Sequence, residues 1–392
     1  MSIYHRFLIY IFLVFNILNF LQPNLKSQIK DSSFQKSGIS SKLPVFIENQ
    51  IKQMNYSLSW LNGNWNNFDR WKNEARNVLI KCLLRQPPSA PFNPVIISEE
   101  DRKTYTAKKV VFNLTADSRV LSYLLIPKGK GPFPAVLLLH DHGARFDIGK
   151  EKVIEPFVSD IALRDTARKW VEKFYDGRFL GDELARRGYV CLAIDVLNWG
   201  NRAGGSYEDQ QAIAANLLNL GMSYAGLIAW EDIASAEFLA SLDFVDSNRI
   251  AAMGFSFGGF RSWQLAALSE RISCSVSFCW MGTNHGLLKP GNNRTLGYSA
   301  FTTTHPDLAN YLDFPDVASI ACPKPMLFIN GKEDKLFPIE TVKEAFEKMQ
   351  LIWKSQAASE HLKTELWDVR HLCTSEMQEY AFQWLDKYLK VK

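Results

Sequence analysis

Arg249-Ile250-Ala251-Ala252-Met253-Gly254-Phe255-Ser256-Phe257-Gly258-Gly259 is the stretch that decides the fold. The short apolar run from Ile250 to Met253 has the character of a strand buried on both faces. It passes without a spacer into Gly-x-Ser-x-Gly, and from Phe257 to Leu268 the apolar residues continue at helical spacing. A strand that turns straight into a helix leaves no room for side chains beside the turn, so glycines flank it. The serine at the apex is strained, with Oγ exposed and the next N–H at a helix N-terminus. The pentapeptide alone recurs by chance, so the strand before it and the helix after it carry the reading. Gly221-Met222-Ser223-Tyr224-Ala225 nearly repeats the pattern. There the preceding residues Ile213 to Leu220 are helical, so Ser223 reads as a helix cap. Ser256 is therefore the candidate nucleophile, against the blander reading of a structural serine in a tight turn.

Similar apolar runs occur at 135–139, Tyr189 to Ile194, Ile272 to Phe278 and Pro325 to Ile329. Helical patterns fall between and after them, at Phe179 to Arg187, Tyr224 to Leu242, Phe257 to Leu268 and Ile339 to Met349, and a last one spans Ser375 to Leu389. Buried strands alternating with helices predict an α/β protein with a doubly wound, mostly parallel sheet and right-handed crossovers. Ahead of them, Val110 to Leu114 and Val120 to Ile126 read as paired strands about a turn at Asp117 and Ser118.

Residues 1–28 read as a secretory signal: Arg6, then an apolar run from Phe7 to Leu21 broken only by Asn16 and Asn19. About 20 residues would be needed to span a bilayer comfortably, and an uncleaved anchor is the alternative. The leader predicts a secreted or periplasmic protein with no lasting membrane insertion after cleavage. Residues 29–106 form a helical extension, with Trp71, Ala75, Val78, Leu79 and Cys82 on one face and a proline-rich break from Pro87 to Pro94. Residues 107–392 form the catalytic domain.

The 392 residues include 45 Lys and Arg against 41 Asp and Glu, with 47% hydrophobic and 22% charged. That balance excludes a disordered chain or a coiled coil, and a net charge of +4 without basic clusters argues against a nucleic-acid partner. Six scattered cysteines lack C-x-x-C spacing, which argues against structural zinc. Oligomeric state is not legible here.

A serine hydroxyl needs a base, and the base an orienting acid. The expected chain order is nucleophile, acid, base. Pro325 to Asn330 reads as a late strand, and Asp334 lies in the turn beyond it, with Glu333 and Asp368 as rivals. His371 follows between Leu366-Trp367-Asp368 and the final helix, where the base should hang. Two N–H donors must face the developing oxyanion. Phe257 supplies one, and the loop His140-Asp141-His142-Gly143 after the 135–139 strand supplies the other, at His142 or else at Asp141 or Gly143. The histidines and aspartate of that loop invite a metal reading, but no further spaced ligand set accompanies them, so neither metal nor organic cofactor is expected.

With the serine turn, the His140 to Gly143 loop, Asp334 and His371 in this order, the chain resembles the α/β-hydrolase superfamily. More closely, it is similar to exported bacterial esterases grouped with dienelactone hydrolases and acetyl xylan esterases. That likeness rests on Tyr123 to Pro127, Gly131 to Pro134, Leu184 to Tyr189 leading to Asp195, Asp246 to Arg249, and Gly331 to Pro338. Two departures are Asp141, where such loops usually carry Gly, and Leu372 after the histidine. The resemblance implies hydrolysis of a small-molecule or polysaccharide ester, an acetyl or methyl ester of plant polysaccharide. Trp199 and Trp280, at strand ends, are candidates to stack on sugar rings, or else to pack beneath a lid. Arg145, Lys150 and Arg202 are candidates to meet a uronic-acid carboxylate, with solvated surface charge as the alternative, and Gln210 to Leu220 is a candidate lid segment. A prolyl-oligopeptidase-type peptidase and an inactive binding protein on the same fold are the rival functions.

Overall fold

The order of the strands brings the two turns of the site together where the winding of the sheet reverses. The computed structural model describes residues 41–202 and 204–390. The strands are β1 Val95–Asp101, β2 Tyr105–Thr115, β3 Ser118–Pro127, β4 Phe133–Leu139, β5 Val190–Ile194, β6 Val245–Phe255, β7 Ile272–Phe278, β8 Met326–Gly331 and β9 Leu362–Trp367. They form one sheet in the order β1-β2-β3-β5-β4-β6-β7-β8-β9. β1, β2, β3 and β5 pair antiparallel in turn, and every pairing from β5 through β4 to β9 is parallel. The mostly parallel, doubly wound sheet expected from the sequence is present. β4 lies between β5 and β6, so the chain departs to one side of β4 and returns on the other. A crevice opens outside the C-terminal strand ends at such a switch point.

Successive residues of a strand face opposite sides. Ala135, Leu137 and Leu139 accordingly join one apolar cluster, which includes residues of helices Phe68–Cys82, Tyr224–Ala240, Phe257–Leu268 and Ile339–Ser355. Val136 and Leu138 join the other, with residues of Ile161–Phe174, Leu180–Arg186 and Ser375–Leu389. Both faces of the central strands are covered, which is why β5 and β8 are buried at every position.

Two elements differ from the sequence reading. The last part of the expected helical extension is β1, an edge strand whose Val95, Ile96 and Ile97 remain exposed. The adjoining prolines and the acids Glu99, Glu100 and Asp101 hide its strand character, and charge of this kind is what edge strands tolerate. Helix Ile161–Phe174 was not expected either, because only Ala167 and Val171 along it are buried.

The extension is docked on the core. Helix Phe68–Cys82, capped by Asn67, buries the five residues whose spacing marked its inner face. Trp71 Nε1 donates to Leu58 O at 2.7 Å, and Arg76 Nε donates to Ala267 O, in the helix that follows Ser256, at 2.9 Å. Tyr56 reaches further, accepting the His285 N–H at 3.2 Å. All six cysteines are buried and unpaired. The expected signal segment lies outside the described residues, and none of the described helices is long and apolar enough to cross a membrane. Trp71 is fully buried, so Trp71→Ala is expected to cost about 3–5 kcal/mol in urea unfolding. A loss below about 1 kcal/mol would show that the extension contributes little to the fold.

Candidate active site

β6 runs into helix Phe257–Leu268 with only Ser256 between them, at φ 55° and ψ −123°. That backbone is strained for a side-chain-bearing residue. It is imposed by close packing of main chain: a Cβ on Gly258 would lie 1.8 Å from Leu139 O, and one on Gly254 would lie 2.4 Å from the Gly258 carbonyl carbon. The Ser256 N–H donates to Phe278 O on β7 at 2.8 Å. Arg261, one turn into the helix, pairs bidentately with buried Asp232 at 2.9 and 2.6 Å and ties the helix to Tyr224–Ala240. The Phe257 N–H, at the start of the helix, has no intrahelical acceptor within reach, and it sits at the positive end of the dipole. Ser223 caps the next helix by accepting the Gly226 N–H at 2.9 Å, so the near-repeat of the serine pattern is structural.

β8 delivers Asp334, and the loop after β9 delivers His371. His371 Nδ1 lies 2.6 Å from Asp334 Oδ2, and its Nε2 lies 2.8 Å from Ser256 Oγ. The partners assign the protons: Nδ1–H donates to the carboxylate, and Nε2 accepts the serine O–H. The Leu336 N–H donates to the other oxygen of the buried Asp334 at 2.9 Å. Phe337 stacks on the imidazole with centroids 6.1 Å apart, and Phe255 lies 4.8 Å away on a tilt. The two loops meet closely because position 331 is glycine, where a Cβ would lie 2.3 Å from Val369 O. The rival acids point elsewhere: Glu333 is exposed, and exposed Asp368 pairs with Lys332 at 2.8 Å. Cys279 brings its sulfur within 4.8 Å of the Asp334 and His371 donor atoms, the one such group among the described residues. In it the imidazole and carboxylate already bind each other, and the Cys279 Sγ–H donates to Leu372 O at 3.3 Å.

The loop after β4 is held from below by a residue that went unnoticed in the sequence. Lys152, fully buried, donates from Nζ to Asp141 O at 3.0 Å and to His142 O at 2.9 Å. Burial pulls its ammonium below the ordinary lysine range. In a trans peptide the N–H points opposite to the C=O, so the N–H groups of His142 and Gly143 face away from Lys152. Asp141, the departure noted above, turns its Oδ2 to Tyr175 Oη at 2.7 Å and Trp170 Nε1 at 3.1 Å. His142 Nδ1 accepts the Ala144 N–H at 3.1 Å, which leaves Nε2–H to donate to Gln210 Oε1 at 2.7 Å. His140 donates from Nδ1 to Asp141 O at 2.9 Å and accepts the Val196 N–H on Nε2 at 3.1 Å. Both imidazoles are satisfied within the protein.

All five of the proposed substrate-binding side chains need correction or qualification. Trp199 is fully buried beneath the loop, donating from Nε1 to His142 O at 3.2 Å with its ring 4.8 Å from that of His142. It is a floor for the loop, and its face is closed to a sugar. Arg202 is locked to Glu231 by two contacts of 2.7 Å and also donates to Asp195 O at 3.1 Å. Lys150, also placed on the rim from sequence, is wholly buried against Asp195 at 2.7 Å and Glu151 at 2.8 Å. Arg145 is exposed, pairs with Asp147 at 2.7 Å and does not line the cleft. Trp280 does line the cleft, but as an edge, since only 6% of it is accessible.

The cleft holds about 440 Å³ of non-protein space, part of it open to solvent, with Ser256, Phe257 and His142 at its floor. Leu287, Leu336 and Phe337 form an apolar wall, and Asn292, Asn293 and Arg294 come from the excursion between β7 and the helix at Phe314–Ser319. The excursion residues were missed because no local pattern marks an irregular loop as part of a site. The expected lid segment is helix Tyr207–Asn219, whose Gln210 supports His142 from behind.

A model of the Abhydrolase family matches residues 45–364. A Bacillus subtilis (strain 168) protein, provisionally designated hydrolase YtaP, is 26% identical over 317 residues, covering 81% of this chain and 99% of its own. A Bacteroides fragilis protein, provisionally described as an acetyl xylan esterase, superposes with a TM-score of 0.65 at 18% identity, over 83% of this chain and 81% of that one. The glucuronoyl esterase from Solibacter usitatus gives 0.60 at 14% identity, over 82% and 92%. At these identities the two structures establish the shared fold.

Burial holds the His142 imidazole at a pKa of about 3, against about 6.5 when unfolded. The unfolded chain therefore takes up a proton between pH 6.5 and 3 that the folded chain refuses, and this group subtracts stability as pH falls through that window. In an NMR titration the His142 Hε1 resonance is expected to stay fixed from pH 8 to about 4.5. A midpoint near 6.5 would contradict the buried, neutral assignment.

Proposed function

The chain belongs to the Abhydrolase family, and from that premise we propose that it is a serine-dependent carboxylic ester hydrolase acting on acetyl or methyl esters of plant polysaccharide. One observation carries the proposal: a continuous relay from Asp334 through His371 to Ser256, with contacts of 2.6 and 2.8 Å, at the floor of a cleft. The polysaccharide part draws its support from the named activities of the acetyl xylan and glucuronoyl esterases that share the fold.

In this reading His371 Nε2 takes the Ser256 proton as Oγ attacks the ester carbonyl. The oxyanion that forms accepts from the Phe257 N–H and, as second donor, from the His142 N–H, with Gly143 as the neighbouring alternative. Asp334, buried and held by the Leu336 N–H, stabilises the imidazolium and keeps Nδ1 protonated. The imidazolium passes its proton to the departing alkoxide, leaving an acyl-enzyme. Water, deprotonated by the same histidine, attacks the acyl carbonyl, and the imidazolium returns that proton to Ser256 Oγ as the carboxylic acid departs. Export through the 1–28 leader, with catalysis confined to residues 107–392, belongs to the same reading.

Ser256→Ala is expected to lower kcat for 4-nitrophenyl acetate by at least about 10⁴-fold, and Asp334→Asn by about 10³–10⁴-fold, with folding intact by circular dichroism. Release of acetate or methanol from acetylated xylan and methylated pectin then identifies the polymer. An unchanged rate in Ser256→Ala would refute the nucleophile.

A further inference from the structure

Arg294 is the one charged side chain among the described residues lining the cleft. It does not belong to the relay, and no described carboxylate lies within salt-bridge distance of it. Its Nη1 donates to Thr303 O at 3.1 Å and Thr303 Oγ1 at 2.9 Å, and its Nη2 reaches Asn284 Oδ1 only at 3.4 Å. Its Nε is shielded from solvent and has no acceptor. The other arginines with an unpartnered nitrogen differ in one respect. Arg164 pairs with Glu155, Arg187 with Glu379 and Arg261 with Asp232, so each has its charge compensated by an acid. Arg294 has only neutral dipoles and the face of Phe314, 5.1 Å from its guanidinium carbon.

Desolvation draws its pKa down to about 10 with no acid raising it back. A cation withdrawn from water without an anion costs stability. Hydrogen bonds to Thr303 and contact with Phe314 explain how the side chain is held, but they leave the charge uncompensated. Nη1 is occupied and Nε is enclosed, whereas Nη2, with one long contact, is the nitrogen left to an anionic oxygen.

We infer that the ester substrate carries a free carboxylate and that Arg294 recognises it in the cleft beside Ser256. This deepens the esterase reading and rests on it. A carboxylate arriving there would meet the Arg294 guanidinium and the amide-bearing Asn292 and Asn293, all of which line the cleft. Uronic-acid-containing glycans that also bear an ester have this chemistry, whereas an uncharged acetylated chain does not.

The test compares two esters that differ at the far end of the acyl group, 4-nitrophenyl hydrogen adipate and methyl 4-nitrophenyl adipate, whose chain is too long for the free carboxylate to cleave its own ester readily. The full-length protein is expected to favour the carboxylate by at least about 10-fold in kcat/KM at low salt, the range of a charge-assisted hydrogen bond. Arg294→Gln is expected to collapse that ratio by about 10-fold or more, and Arg294→Lys to restore part of it. A purely structural role would lower both esters together and leave the ratio standing. No preference in the native protein, or an unchanged ratio in a folded Arg294→Gln variant, overturns the inference. If neither ester is cleaved, the esterase reading fails, and calorimetric titration with sodium D-galacturonate still decides the site. Binding lost in Arg294→Gln sustains carboxylate recognition, and no binding to the native protein ends it.

Discussion

The structure depends on one close approach of main chain to main chain. The helix that leaves Ser256 crosses the end of β4 so tightly that a single carbon added at position 258 would lie 1.8 Å from Leu139 O. Overpacking of that kind is not relieved by rotating a side chain, since both partners are backbone. The approach has two consequences. It forces the serine into its strained conformation at φ 55°. It also sets the first helical N–H groups beside the loop that starts at His140, because that loop is the continuation of β4. The nucleophile and both candidate oxyanion donors are therefore fixed by the same contact.

A second layer of buried ions keeps the surrounding loops in place. Lys152 under the β4 loop, Arg261 with Asp232, Arg202 with Glu231, and Lys150 with Asp195 and Glu151 all lie close to the switch point of the sheet. Buried ion pairs are a poor source of net stability, because desolvation offsets the attraction. They do fix geometry, since breaking one leaves an uncompensated charge in the interior. Loops that must hold N–H groups in a set direction gain from that rigidity. Arg294 stands apart from this pattern because no acid among the described residues pairs with it.

Much of the fold was legible because its signals are local. Unbroken apolar runs marked β4 to β8, and helix Phe257–Leu268 begins and ends at its expected residues. Ser256, Asp334 and His371 come together because chain order in a parallel sheet maps onto spatial order along one edge. The errors share a physical origin. A tryptophan or arginine near a strand end looks the same in sequence whether it faces solvent or the core, so Trp199, Arg202 and Lys150 were placed on a rim when packing had buried them. Lys152 and Arg294 were missed for the converse reason: a buried lysine beneath a loop, or an arginine in an irregular excursion, leaves no periodic trace.

The central claim is that Ser256 attacks while the N–H groups at the start of the helix and in the β4 loop receive the negative oxygen. A crystal structure of the protein after reaction with an alkyl fluorophosphonate addresses this directly, since the phosphonyl group mimics the tetrahedral intermediate. The account requires the phosphorus on Ser256 Oγ, with one phosphonyl oxygen about 2.7–3.1 Å from the nitrogens of Phe257 and His142. Phosphorus on another residue, or an oxygen turned away from both nitrogens, would contradict it.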